Sequence, residues 1–175
     1  SALGTMPPDS ESFQLTTDGD NTQPNDRFQN PYGLQTIFAP DGNHLTFTKL
    51  EDGGAYLWVM EADGSNARRL TDESVSWAEW ASDSQTLVYW VTRTGGPAPL
   101  RTVNIEMGDV VTVAEDAISH GVWHPTQPKL YYVADNPVRI MSVNADGTDT
   151  MNVYTMPASM TSISLVATLP GRLLF

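Results

Sequence analysis

From residue 34 onward, short runs of β-branched and aromatic residues alternate with Gly, Pro, Asp, Asn and Ser. Apolar runs such as Tyr56–Met60 and Leu87–Val91 end after five residues, and no segment keeps a helical period for three turns. That texture predicts an all-β chain of short strands joined by tight turns.

The strands recur. Pro40-Asp41-Gly42-Asn43 precedes Leu45-Thr46-Phe47-Thr48, and Ser82-Asp83-Ser84-Gln85 precedes Leu87-Val88-Tyr89-Trp90. Pro125-Thr126-Gln127-Pro128 precedes Leu130-Tyr131-Tyr132-Val133, and Leu169-Pro170-Gly171-Arg172 precedes Leu173-Leu174-Phe175. The marker leucines Leu45, Leu87, Leu130 and Leu173 are spaced 42, 43 and 43 residues apart. A second motif repeats in Tyr56–Gly64 and Val138–Gly147, each ending in Asp-Gly, with a weaker copy at Arg101–Asp109. Asp-Gly between strands predicts a hairpin whose two central residues both take positive φ. A fourth short run closes each unit, at Ala67–Thr71, Val110–Ala114 and Asn152–Thr155. Four antiparallel strands in about 42 residues is the arithmetic of a β-propeller blade. One such sheet cannot bury both faces alone, whereas blade stacked on blade can.

The repeat resembles the TolB-type, WD-like propeller repeat of bacterial envelope proteins. The first unit carries the resemblance in Phe38-Ala39-Pro40-Asp41-Gly42, Val59-Met60-Glu61-Ala62-Asp63-Gly64 and Arg68-Arg69-Leu70-Thr71. The second keeps Trp80-Ala81-Ser82-Asp83 without the Asp-Gly hairpin, and the third keeps Trp123, Pro125 and Asn144-Ala145-Asp146-Gly147. The resemblance implies a platform for protein contacts in the periplasm or outside the cell. It also brings in the propeller that caps a serine peptidase, although no Gly-x-Ser-x-Gly nucleophile motif occurs in the sequence.

The expected organisation is an irregular leader, 1–33, then blades at 34–71, 74–114 and 117–155, and a partial fourth at 160–175. The leader is broken by Pro7, Pro8, Pro24 and Pro31, with one strand-like stretch at Phe13-Gln14-Leu15-Thr16. Rings usually hold four to eight blades. Three full blades and a part therefore leave an open edge, which invites pairing with another chain. The expectations are a piece of a longer protein, a partner that covers the edge, or an irregular fourth blade. The end inside Leu173-Leu174-Phe175 favours the first.

Composition narrows the function. The 175 residues carry 9 Lys+Arg against 21 Asp+Glu, a formal net charge of -12. So acidic a chain is poorly suited to phosphate backbones or anionic lipid, and no apolar run is long enough to span a bilayer as a helix. There is no Cys, so disulfides, Cys-ligated zinc and thiol catalysis are excluded.

Equivalent positions across units mark candidate sites. Phe38, Trp80 and Trp123 align just before the first turn and read as packing between blades. Three residues earlier stand Gln35, Trp77 and His120, with Ser164 in the partial unit. In a ring these gather at one mouth of the channel, where they could hold a peptide or a partner loop; ordinary channel lining is the plainer reading. The long loop Thr92–Pro99, with Arg93, Gly95, Gly96 and Pro97, is a second contact candidate, since contacts often sit on loops held by a rigid scaffold. His120 and His124 are about 13 Å apart on a strand, too far to share one zinc. Asp18-Gly19-Asp20-Asn21 with Asp26 hints at calcium, but Gln23 and Gln29 stand where an EF-hand needs Gly and Glu. His44 reads as a solvated turn residue, Glu115-Asp116 as a solvated loop, and Arg68-Arg69 as a pair that neutralises neighbouring acids. No nucleophile–base set, metal or cofactor is expected.

The sequence thus predicts a non-catalytic, protein-binding or scaffolding propeller, acting with a protein partner or as an accessory subunit of a membrane-anchored complex. The alternative is the propeller portion of a peptidase or other hydrolase whose catalytic domain lies elsewhere.

Overall fold

The computed structural model describes residues 36–135 and 137–157, Leu165, and the strand backbones at 167–169 and 172–174. The leader, its Phe13–Thr16 stretch and the Asp18–Asp26 segment lie outside the described residues. Among those residues there is no helix, and every strand pairing is antiparallel.

The first blade is a meander of β1 (Thr36–Phe38), β2 (His44–Glu51), β3 (Gly54–Glu61) and β4 (Arg68–Arg69), in that spatial order. The second holds β5 (Val75–Trp80), β6 (Thr86–Val91), β7 (Ala98–Asn104) and β8 (Val110–Ala117). The third holds β9 (Val122–Trp123), β10 (Lys129–Ala134), β11 (Arg139–Asn144) and β12 (Met151–Thr155). A last hairpin, β13 (Ala167–Leu169) with β14 (Arg172–Leu174), lies beside β9. The fold is a partial β-propeller with open sheets.

The middle blade shows why its strands are apolar without interruption. On β6, Leu87 and Tyr89 pack toward the first blade with Leu57, Val59, Val75 and Trp80. Val88 points the other way, into a core with Leu100, Trp123, Leu130 and Val143 of the second and third blades, and Trp90 packs against that core. Successive side chains alternate across a strand, so a sheet covered on both faces needs apolar residues at every position. Each fully buried aliphatic or aromatic side chain contributes about 1.5–3 kcal/mol.

Repeat-equivalent hydrogen bonds fasten blade to blade. Trp80 Nε1 donates to the Ile37 carbonyl at 3.2 Å, and Trp123 Nε1 donates to the Glu79 carbonyl at 3.2 Å. Both indoles are 6% exposed, whereas Phe38, at the matching position of the first blade, is 57% exposed. The packing role expected of all three holds for the two tryptophans only, because no blade precedes the first among the described residues. The second and third blades are also joined backbone to backbone. Ala117, at the end of β8, faces Ala98 on one side and Ala134 on the other, and all three are buried. Three methyl side chains let strands from two blades converge there.

The turns correct one expectation. Gly64 and Gly147 take φ of 87° and 81°, but Asp63 and Asp146 are not among the residues with positive φ. Each aspartate instead caps its turn: Asp63 Oδ1 accepts from the Ser65 amide at 2.9 Å, and Asp146 Oδ1 from the Thr148 amide at 3.0 Å. Gly64 N donates to Glu61 O and Glu61 N to Ser65 O, which is a four-residue turn whose last residue is the left-handed glycine. The two-residue turn with both φ positive is Asp52-Gly53, at 49° and 81°. In the second blade Ser84 takes the left-handed place of Gly42, with φ of 58°, and its Oγ accepts from the Asp41 amide of the first blade at 3.0 Å.

Two further readings change. Glu115 and Asp116 lie in β8, not in a loop, and Asp116 pairs with Arg139 at 3.2 Å. His44 opens β2 and faces Glu61 at 3.6 Å. Arg69 behaves as expected, reaching Glu51 at 3.8 Å, and its guanidinium also covers the Tyr56 ring at 3.6 Å. Arg68 donates to the Ile105 carbonyl of the second blade.

Candidate functional site

The innermost strands of the second and third blades face each other across a cleft of about 570 Å³. On β5, Ala78 and Trp80 are buried in the core between blades, while Trp77 and Glu79 are only half-buried and line the cleft. From the third blade come the segment His120–Pro125, and from the neighbouring units Pro40 and Leu165.

Trp77 and His120 stack face to face, with ring centroids 4.8 Å apart and planes 9° from parallel. Trp90, paired with Trp77 across β5 and β6, meets His120 edge-on at 5.0 Å and 83°. Its indole N–H is spent on the Ala98 carbonyl at 3.2 Å, which fixes the ring. His120 stays exposed. The aromatic neighbours nevertheless withdraw enough water to hold its pKa below the usual imidazole value, so the ring is neutral at neutral pH.

Glu79 lies two residues beyond Trp77 on the same face of β5. Burial pushes its carboxyl up to about 7. Among the described residues no cation or hydrogen-bond donor pairs with that carboxylate, although its own carbonyl accepts from Trp123. An ionisable group whose pKa is displaced by burial in a cleft is a candidate for function.

Of the four residues placed at the channel mouth by the sequence, the structure brings Trp77 and His120 into contact. Gln35 and Ser164 lie outside the described residues. The second candidate, the loop between β6 and β7, is elsewhere. Arg93, Gly95 and Gly96 are exposed, Pro97 is half-buried, and none of them lines the cleft. Gly95 and Gly96 both take left-handed φ, at 79° and 75°, which turns the loop sharply. His124 Nδ1 accepts from the Thr126 amide at 3.2 Å and so serves its turn. Among the described residues no three His, Cys, Asp or Glu side chains gather as a metal site.

Glu79 is not among the residues singled out from the sequence. The signal was present: Ile37, Glu79 and Val122 occupy one position of the repeat, and the only charge in that column falls at Glu79.

No family model matches the chain. A segment of 53 residues is 43% identical to the Tol-Pal system protein TolB of Anaeromyxobacter dehalogenans strain 2CP-C, covering 27% of this chain and 12% of that protein. Among solved structures, the putative TolB of Agrobacterium tumefaciens superposes with a TM-score of 0.54 at 18% identity, over 70% of this chain and 50% of that one. The β-propeller domain of the Trilobed protease from Pyrococcus furiosus, described as having an open velcro topology, gives a TM-score of 0.56 at 14% identity, over 69% and 42%. The chain is thus a β-propeller. The matched segment supports a propeller of the TolB type; that segment covers about an eighth of the curated relative, and the superposed chain covers half of the Agrobacterium structure. Among the described residues no helix is long and apolar enough to cross a membrane.

Proposed function

We propose that this chain is a non-catalytic, protein-binding portion of a bacterial envelope propeller, exposed to the periplasm, with subunits of a membrane-anchored assembly as its partners. The observation that carries the reading is the cleft on the inner strands, where Trp77 and His120 stack beside the unpaired Glu79. Partly exposed tryptophan is among the residue types that anchor protein contacts. The identity to a Tol-Pal protein over 53 residues supports the envelope setting, and the net charge of -12 suits a basic partner better than lipid or nucleic acid. The blades proposed for this role are 34–71, 74–114 and 117–155, with the loop around Arg93 and Gly95 as a secondary contact.

A second reading draws on the peptidase propellers among the structural neighbours, the Trilobed protease and the acylaminoacyl peptidase of Pyrococcus horikoshii. It makes this chain the propeller of a hydrolase whose catalytic domain lies outside residues 1–175. One experiment separates the two. A photo-crosslinking amino acid is placed at position 82, an exposed serine on the cleft rim, in the native protein in its own cells, and the same protein is treated with a serine-reactive fluorophosphonate. The first reading expects a defined adduct with one envelope protein and no fluorophosphonate label. A labelled polypeptide that contains this sequence, with no adduct from position 82, overturns it in favour of the second.

A further inference from the structure

The cleft between β5 and the His120–Pro125 segment combines three properties. It is large enough for a side chain, at about 570 Å³. Its walls are aromatic, with Trp77 and His120 stacked on one another. Its one acidic side chain, Glu79, has no counter-charge among the described residues. Every other unit puts an aliphatic residue at that repeat position, Ile37 and Val122, so the carboxylate is not required by the blade. Leaving it there has a cost, because desolvating a charge without a partner is unfavourable.

We propose that this cleft receives a lysine or arginine side chain from an extended segment of a partner protein, its charged head at the Glu79 carboxylate and its methylene stem along the aromatic wall. The inference rests on the protein-binding reading above and adds to it the chemistry of the residue recognised. Cations are attracted to the faces of tryptophan rings as well as to carboxylates, and an ion pair formed where water is partly excluded is weakly screened. A neutral His120 suits the same occupant, since an imidazolium beside Trp77 would repel it. The remaining titratable group lining the cleft, His124, has its Nδ1 committed to the Thr126 amide. The long stems of lysine and arginine bury readily along apolar surface while the charge finds its partner.

The test uses the full chain and fluorescently labelled nonapeptides of Ala and Ser that differ only at the central residue, which is Lys, Arg, norleucine or Glu. Binding is read by fluorescence polarisation at low and physiological salt. The Lys and Arg peptides should bind about tenfold or more tightly than norleucine, the scale of a hydrogen bond to a charged group. Glu79→Gln should remove that preference. Glu115→Gln, which deletes the same charge from an exposed site on β8, should keep it. Equal binding of Lys and norleucine peptides, unaffected by Glu79→Gln, overturns the cation but leaves a protein-binding cleft. A preference lost equally in both variants overturns it as well, since net charge alone then accounts for it. No binding by any peptide overturns both the cation and the cleft as a docking site, a result that the crosslink from position 82 checks independently.

Discussion

Two rows of aromatic side chains run along the inner strands three residues apart, and they differ in what surrounds them. Trp80 and Trp123 are buried, and each indole N–H is bonded to the carbonyl of the preceding blade. Trp77 and His120 are stacked, the first half-buried and the second exposed, and both line the cleft. The first row holds the blades in register; the second is free to touch something else. The contrast shows that a large aromatic residue in a repeat is not by itself evidence of either role. Its accessibility and the fate of its polar atom distinguish them. Phe38 makes the same point from the other direction, for it shares the sequence position of Trp80 and Trp123 but not their burial.

The largest expected effect falls on the buried row. Trp123→Ala or Trp80→Ala should each destabilise the fold by about 3–5 kcal/mol in urea unfolding, because each leaves a large cavity between two blades. Phe38→Ala should cost well under half of that. Equal losses at Phe38 and Trp80 would break the comparison. Next comes the convergence of strands at Ala117, which touches both the second and third blades. Ala117→Leu should cost about 1–3 kcal/mol through overpacking, with Ala134 and Ala98 unable to recede. Trp77→Ala should lower stability by only about 1 kcal/mol, the ordinary scale for a point substitution, while removing peptide or partner binding.

The unpaired carboxylate offers a finer probe. Glu79 has its folded pKa raised to about 7 from an ordinary value of 4.5, so between these pH values the folded chain holds a proton that the unfolded chain has lost. Stability should therefore fall as pH rises from about 4.5 to about 7 and stay level above it, so far as this group is concerned. His120 and His124 line the same cleft, so the effect is isolated as the difference between the native chain and Glu79→Gln, measured by thermal unfolding across that range. A difference that does not change with pH would mean that Glu79 is better solvated than the cleft implies.

The blade repeat was legible in the residues, whereas contacts made between blades were not. The spacing of Leu45, Leu87 and Leu130 sets the blades, because each leucine must return to the same place in a stacked sheet. The position of Trp77 and His120 three residues before the buried row follows from the same periodicity. Other features depend on neighbours that no local pattern encodes. The role of Asp63 and Asp146 as turn caps depends on a choice between backbone and side-chain hydrogen bonding. The strand continuing through Glu115 and Asp116 depends on Arg139 and on the three alanines that let β8 meet a second blade. The exposure of Phe38 depends on what lies before the first blade. Glu79 draws attention only once its burial and missing partner are seen together.

The most direct test of the central claim, that the two rows do different work, is hydrogen exchange at the five tryptophan indoles, followed by NMR. The Trp80 and Trp123 N–H groups should exchange only through global unfolding. Exchange at Trp77 should be rapid, and slowed when the lysine nonapeptide is added, with Trp80 and Trp123 unchanged. Protection at Trp77 equal to that at Trp80 in the free protein, or a peptide that slows none of the five, would contradict the claim.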